Sequence, residues 1–217
     1  MLVVVALIAL GGMVGAVIAG SSGDDDGVTS VEDVEGAFKG RESPFKGALR
    51  PEGVKQSDFA LENQDGKIVR VADERGKVVV LTPLYTQCED SCPLVAQQVR
   101  GALDDLSSQQ RKQVVAHAIS VDPVGDTPER AQSFLVDRRV SGYLDYLLGD
   151  RAELSPVWRE FGFAPQLDSR EHNSYVVLLN RDGRQRIGFP IEYLTPEGLR
   201  HDIELLLRGV GDQQASS

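Results

Sequence analysis

Apolar residues run unbroken from Leu2 to Ala19, LVVVALIALGGMVGAVIA, with no charge and no strongly polar side chain. As a helix this run would span about 27 Å, near the hydrocarbon thickness of a bilayer. It is apolar all round and is followed by Ser21-Ser22-Gly23-Asp24-Asp25-Asp26-Gly27, which argues against a buried core helix. Residues 1–20 are read as a membrane anchor, with a signal peptide cut after Ala19 as the alternative; the length of the run favours the anchor. Residues 21–50 read as a flexible tether, acidic and then Gly-containing, closing on Ser43-Pro44 and Pro51.

From about residue 55 the periodicity becomes regular. Ser57–Leu61 and Lys67–Val71 flank the turn Asn63-Gln64-Asp65-Gly66, a hairpin signal. Val78–Leu81 is a β-branched run, apolar on both faces, and predicts a central strand. It leads into Tyr85-Thr86-Gln87-Cys88-Glu89-Asp90-Ser91-Cys92-Pro93. Leu94, Val95, Val99, Ala102, Leu103 and Leu106 then fall at helical spacing, with Pro93 at the first helical position and Cys92 at the cap. Val114–Val121 predicts a second buried strand. Thr127 caps a helix with Pro128 at its first position. Tyr143–Leu148 is a short strand and Arg151–Phe161 a helix. Ser174–Asn180 and Arg184–Phe189 form a hairpin about Arg181-Asp182-Gly183, and Thr195-Pro196 opens a last helix through Arg208. Residues 211–217 are expected to be a disordered tail.

The order is therefore a hairpin, then β-α-β-α-β-α, then β-β-α. Alternating strands and helices require a mostly parallel sheet covered on both faces, and the closing hairpin makes it mixed. The fold class is α/β. A central strand running into a two-cysteine loop at a helix start, with a β-β-α end, is the layout of a thioredoxin-like domain with an extra N-terminal hairpin, spanning residues 51–210.

Charge sharpens the function classes. The chain has 217 residues, with 23 Lys+Arg against 33 Asp+Glu and a net charge of -10. Asp24, Asp25, Asp26, Glu32, Asp33 and Glu35 lie within residues 21–37, which hold no Lys or Arg, so the acidic excess is largely local. The acidic balance argues against nucleic acid as a partner, because phosphate binding needs a basic face. No Lys or Arg precedes Lys39, so the positive-inside rule has only the amino terminus to act on, and an N-in, C-out anchor puts the domain outside the cytoplasm.

Two cysteines, Cys88 and Cys92, exclude a disulfide-dense scaffold and a four-cysteine zinc site. They stand at the carboxyl end of a central strand, where open α/β sheets place ligands, and Cys92 begins a helix whose dipole favours a thiolate. A purely stabilising disulfide would close only a very short loop and gain little. Glu89 and Asp90 between the sulfurs are expected to raise the thiol pKa values, which suits a pair sharing a cation better than a reactive nucleophile. Two thiolates make a soft site for Cu(I), and an added imidazole admits Cu(II). Of the three histidines, His117 lies within a strand and reads as a satisfied structural residue. His201 lies in the last helix beside Arg200 and Asp202 as a solvated or capping residue. His172 stands in the polar loop Asp168–Asn173 before a strand, the loop that faces the cysteines in this layout, and is the candidate third ligand.

Tyr85-Thr86-Gln87-Cys88-Glu89-Asp90-Ser91-Cys92-Pro93 resembles the Y-T-x-C-x-D-x-C-P signature of the Sco/SenC family, copper proteins that assist cytochrome c oxidase assembly. Ser120-Val121-Asp122-Pro123 with Asp126-Thr127-Pro128 resembles its S-V-D-P-x-x-D-T-P stretch. Asp58-Phe59-Ala60-Leu61, Asp65-Gly66-Lys67 and Arg75-Gly76-Lys77 are similar to its opening hairpin, and His172-Asn173-Ser174 falls where the family keeps its metal-binding histidine. The resemblance covers roughly residues 55–208. It implies a membrane-tethered metallochaperone with copper held by Cys88, Cys92 and His172, the Asp122 and Asp126 loop nearby, and a copper-acceptor subunit of a terminal oxidase, or another exported copper protein, as partner. The chain departs from the family pattern at Thr82-Pro83-Leu84, at Glu89 and at Glu171.

A second reading makes Cys88 and Cys92 a catalytic redox pair in a thiol-disulfide oxidoreductase that reduces the acceptor's cysteines. Such enzymes place a cis-proline before the penultimate strand; here Pro165 is too far upstream and His172 takes the near position. A peroxidase on the same fold needs an activated thiolate, which Glu89 and Asp90 oppose.

Overall fold

The computed structural model describes residues 43–50, 57–165 and 175–210. The anchor, the tether up to residue 42, the 168–173 loop with His172 and the 211–217 tail lie outside the described residues. Among the described residues no helix is long and apolar enough to cross a membrane.

The strands are β1 (Ala48–Leu49), β2 (Ala60–Asn63), β3 (Ile68–Arg70), β4 (Val78–Leu84), β5 (Val114–Ser120), β6 (Asp145–Leu148), β7 (Tyr175–Leu179) and β8 (Gln185–Pro190). The helices are α1 (Ser91–Asp104), α2 (Ser108–Arg111), α3 (Pro128–Asp137), α4 (Arg151–Phe161) and α5 (Pro196–Leu207). One eight-stranded sheet has the order β1-β8-β7-β4-β5-β6-β2-β3. β4, β5 and β6 are parallel, and β7, β8, β1 and the β2–β3 hairpin are antiparallel to their neighbours. This is the mixed sheet that the strand and helix order requires.

All seven residues of β4 are buried, because each face of the sheet is covered. Val78, Val80 and Leu84 pack with Val95 and Val99 of α1, Phe134 of α3 and Leu199 and Ile203 of α5. Val79 and Leu81 join the opposite layer, with Leu154, Val157, Trp158 and Phe161 of α4. Each such aliphatic side chain contributes about 1.5–3 kcal/mol on burial. Pro83 is accommodated in a central strand because β7 pairs only with Val79–Leu81, so no ladder bond to β7 is needed at that position.

Three local readings change. Helix α1 starts at Ser91 with Asp90 as N-cap, not at Pro93; a proline fits anywhere in a first turn, where the amide has no intrahelical acceptor. Residues 43–50, assigned to the tether, are packed instead. Phe45 and Ala48 are buried, β1 pairs with β8, and the buried Asp202 carboxylate of α5 accepts from the Lys46 amide at 2.8 Å and the Gly47 amide at 2.8 Å. The short helix α2 is additional, closed by a Ser107–Gln110 capping box. Thr127 and Thr195 cap α3 and α5 as their sequences predict.

His117 is buried in β5 but is not satisfied: neither ring nitrogen has a hydrogen-bond partner, and the Asp145 carboxylate is 4.0 Å from Nδ1. Burial lowers its pKa against the opposing pull of Asp145 and Glu74. The unfolded chain therefore binds a proton that the folded chain resists. Stability is full above the ordinary value near 6.5 and falls as pH drops through that value towards the lowered one, by at most about 1.4 kcal/mol per pH unit. Urea unfolding at pH 8 and pH 5.5 checks this, and His117→Leu should remove most of that slope. The buried Asp126 and Asp202, both raised by burial, act in the opposite sense at lower pH. An unchanged slope in His117→Leu would assign the effect elsewhere.

Candidate metal centre

β4 delivers Cys88 to the carboxyl edge of the sheet, and the first turn of α1 returns the chain to Cys92. Both cysteines are free and buried. The Cys92 amide donates to Cys88 Sγ at 3.2 Å, and Ser91 Oγ lies 3.7 Å from the same sulfur. The Cys92 thiol bonds to Cys88 as well, and together with the Cys92 and Asp90 amides and the Ser91 hydroxyl it outweighs burial, pulling the Cys88 pKa down to about 4. Cys92 moves the opposite way, raised by that same Cys88 bond and by burial. The pair at rest is one thiolate and one thiol. The expectation that Glu89 and Asp90 would raise both pKa values is thus overturned for Cys88: these two side chains point to solvent, and the donors at the helix start dominate. Tyr85 lies against the pair, its pKa raised to about 12 by burial and by Cys88.

The loop is anchored from behind by Asp126. Its Oδ1 accepts from the Thr86 amide at 2.7 Å, and its Oδ2 from Ser120 Oγ at 2.6 Å and Tyr146 Oη at 3.0 Å. Trp158 Nε1 donates to the Ser120 carbonyl at 2.9 Å, tying α4 to the same point. Asp122 bonds the Gly125 amide at 2.9 Å, and a Cβ on Gly125 would meet Gln87 Nε2 at 2.7 Å, so this loop abuts the cysteine loop. Asp126→Ala leaves three buried donors unmatched and should cost roughly 3 kcal/mol in urea unfolding. Hydrogen exchange at residues 86–88 should rise more than at β5; a uniform rise would mean Asp126 serves only global stability.

The structure brings Cys88 and Cys92 together and leaves the other described histidines elsewhere. His117 sits between Leu81 and Asp145 in the sheet, and His201 Nδ1 bonds Asp202 at 2.9 Å. Among the described residues no group of three His, Cys, Asp or Glu side chains could hold a metal ion. The donor set present, a buried thiolate beside a thiol, fits a soft monovalent ion with few ligands. Asp126 and Tyr146 are contributors that spacing alone did not assign; the D-T-P sequence pointed to the loop, not to the carboxylate's role.

A buried parallel strand ending in a dithiol loop at a helix start, closed by β-β-α, defines a thioredoxin-like domain with a C-x-x-x-C site. The chain belongs to the SCO1/SenC family, whose model matches residues 48–208. It is 26% identical over 159 residues to the mitochondrial protein SCO1 homolog 1 of Arabidopsis thaliana, covering 70% of this chain and 45% of that one. The chain spans about half the length of the curated relatives it matches. Among solved structures, ScoI of Bradyrhizobium japonicum with copper bound is 29% identical with a TM-score of 0.56, covering 70% of this chain and 99% of that one. The apo Sco1 protein of Thermus thermophilus is 25% identical with a TM-score of 0.63, covering 77% and 100%.

Proposed function

We propose that this chain is a membrane-tethered copper metallochaperone whose domain lies outside the cytoplasm and serves cytochrome c oxidase assembly. The observation that carries the reading is the buried Cys88–Cys92 pair, with the Cys88 pKa lowered by the Cys92 thiol first and then by the Cys92 amide and Ser91. Copper is cargo. Binding Cu(I) releases the Cys92 proton, and delivery exchanges these two sulfurs for the acceptor's ligands, with the proton returning to Cys92. Oxidation of the pair to a disulfide removes both donors, so disulfide formation and Cu(I) loading exclude each other. The copper-bound Bradyrhizobium relative supports the cargo, and His172 is the proposed third ligand.

His172→Ala is expected to weaken Cu(II) binding more than Cu(I) binding, because Cu(II) prefers nitrogen in a tetragonal site. His117→Ala should lower the thermal midpoint and spare both metals. The check is Cu(II) absorbance and Cu(I) competition on both variants. A Cu(II) spectrum kept by His172→Ala and lost by His117→Ala would put the ligand on the wrong histidine.

The split thiolate and thiol also favour a second reading, reduction of the acceptor. Cys88 would attack an acceptor disulfide, Cys92 would displace the mixed disulfide, and this chain would leave oxidised as the acceptor is reduced. Counting thiols on each protein separately, after incubation with a dithiol acceptor in its oxidised form, separates the two: reduction moves two thiols from this chain to the acceptor.

A further inference from the structure

Cys88 and Cys92 are 2% and 1% exposed, so an acceptor that exchanges ligands with them must first seat on the residues around them. Those residues are 85–94, which carry the pair, and the 121–130 loop. The loop abuts them through Gly125 and Gln87 and through the bond from the Thr86 amide to Asp126. Each segment exposes one aliphatic side chain. Val124 is 90% exposed and Leu94 49%, two of the five large apolar side chains that the described residues leave in solvent. Val124 belongs to neither apolar layer, yet its turn is firmly held. The Asp126 amide donates to the Asp122 carbonyl at 2.9 Å, the Gly125 amide to Asp122 Oδ1 at 2.9 Å, and Arg130 Nη1 to the Gly125 carbonyl at 2.8 Å. Turn positions favour small or polar residues; an aliphatic tip held this way offers apolar surface that needs no ordering on contact. Leu94 is in the first turn of α1, where the Cα–Cβ bond tilts towards the helix start and so towards the cysteine edge.

The same two segments hold Glu89, Asp90, Asp122, Asp126 and Glu129 against one cation, Arg130. Asp126 is buried behind the loop, whereas Glu89, Asp90 and Glu129 are exposed. We infer that the cysteine mouth docks a protein that carries an apolar patch ringed by lysines or arginines around its own metal ligands. Val124 and Leu94 supply the apolar contact, and Glu89, Asp90 and Glu129 steer the approach. A second copy of this chain would bring the same acidic rim against itself, and an anionic lipid surface would be repelled as well. The docking rests on the metallochaperone reading for the identity of the partner.

Cys88 and Cys92 are the chain's only thiols, so docking is read, without copper, as the rate at which a cysteine-bearing probe reacts with them. Each probe is a pentapeptide whose central cysteine carries thionitrobenzoate as a disulfide. The Cys88 thiolate attacks the peptide sulfur, the bond to thionitrobenzoate breaks, and that coloured thiolate leaves. Cys92 then loses its proton and displaces the peptide thiolate, which takes up a proton, and the chain is left oxidised. The full metal-free chain in a nonionic detergent is mixed with a probe of inner leucines and outer lysines, one of leucines and glutamates, and one of serines and lysines. Each rate is divided by that of the same protein with thionitrobenzoate-activated mercaptoethanol. In 20 mM salt the lysine–leucine probe should react about tenfold faster than the glutamate–leucine probe, and in 0.5 M salt about twofold faster. Glu89→Gln with Asp90→Asn should lower the low-salt ratio by about threefold or more. Val124→Ser with Leu94→Ser should slow the lysine–leucine probe about threefold and leave the lysine–serine probe unchanged. A low-salt ratio near one, or a ratio that the Glu89 and Asp90 changes do not move, overturns the inference. So does equal slowing of the leucine and serine probes by the Val124 and Leu94 changes. A rate that falls as protein concentration rises would make a second copy the occupant, and slowing confined to phosphatidylcholine nanodiscs would make a lipid surface the occupant; either result overturns it too. Cu(I) binding is measured separately, so failure here leaves the metallochaperone reading standing, and failure to load Cu(I) leaves the docking result standing.

Discussion

A chain carrying Cys88→Ser is expected to lose Cu(I) affinity by at least about 1,000-fold, roughly 4 kcal/mol, while keeping the wild-type fold. Serine is nearly isosteric with cysteine, so the packing around position 88 survives. Its hydroxyl stays protonated near neutral pH, and a hard oxygen is a poor ligand for a soft ion. The donors that depress the Cys88 pKa, the Cys92 thiol and amide and the Ser91 hydroxyl, would then hold a neutral group. Competition against a chromogenic Cu(I) chelator measures the loss. Cys92→Ser should be as damaging to copper but should leave a thiolate at Cys88, visible as ultraviolet absorbance persisting to about pH 5, because a serine hydroxyl can take over the bond that the Cys92 thiol donates and the amide at position 92 is still in place. Retention of Cu(I) by Cys88→Ser within tenfold of wild type would remove the basis of the chaperone reading.

Asp202→Ala should be the most destabilising single change outside the hydrophobic layers, by about 3 kcal/mol or more. The carboxylate is fully buried and bonds two main-chain amides of the entering segment, Lys46 and Gly47, as well as His201. Without it these amides are enclosed with no acceptor, and β1 loses its attachment to α5. Asp202→Asn keeps an acceptor oxygen and should recover about half of the loss. Urea unfolding gives the magnitude, and limited proteolysis should show new cleavage between residues 43 and 50. A cost under 1 kcal/mol would mean that Phe45 and the β1–β8 ladder hold this segment unaided.

The sequence carried the elements whose signals are local. Thr127-Pro128 and Thr195-Pro196 announce helix starts because cap and proline act within one turn, and Val78–Leu81 announces a central strand because both faces need apolar side chains. β1 escaped because two residues, Ala48 and Leu49, have no period; their position is imposed by Asp202, far along the chain. Cys88 and Cys92 were legible from their place between strand and helix. The division of charge between them was not, because it depends first on the bond between the two sulfurs and then on where the Cys92 amide and Ser91 hydroxyl point. The unsatisfied His117 likewise depends on the side chains across two neighbouring strands, which composition does not report. His172 rests on the resemblance and the loop topology alone.

The attachment of Lys46 and Gly47 to Asp202 bridges about 155 residues, and it orders events for a chain that emerges amino end first. β4 receives its β5 neighbour once residue 120 is out, but β7 follows only after residue 179, and β1 has nothing to pair with until β8 is made. The first strand of the sheet is therefore among the last to be placed. Until α5 arrives, the growing chain exposes the apolar edge of its own half-built sheet, and the domain closes only once residues through Leu207 have been made.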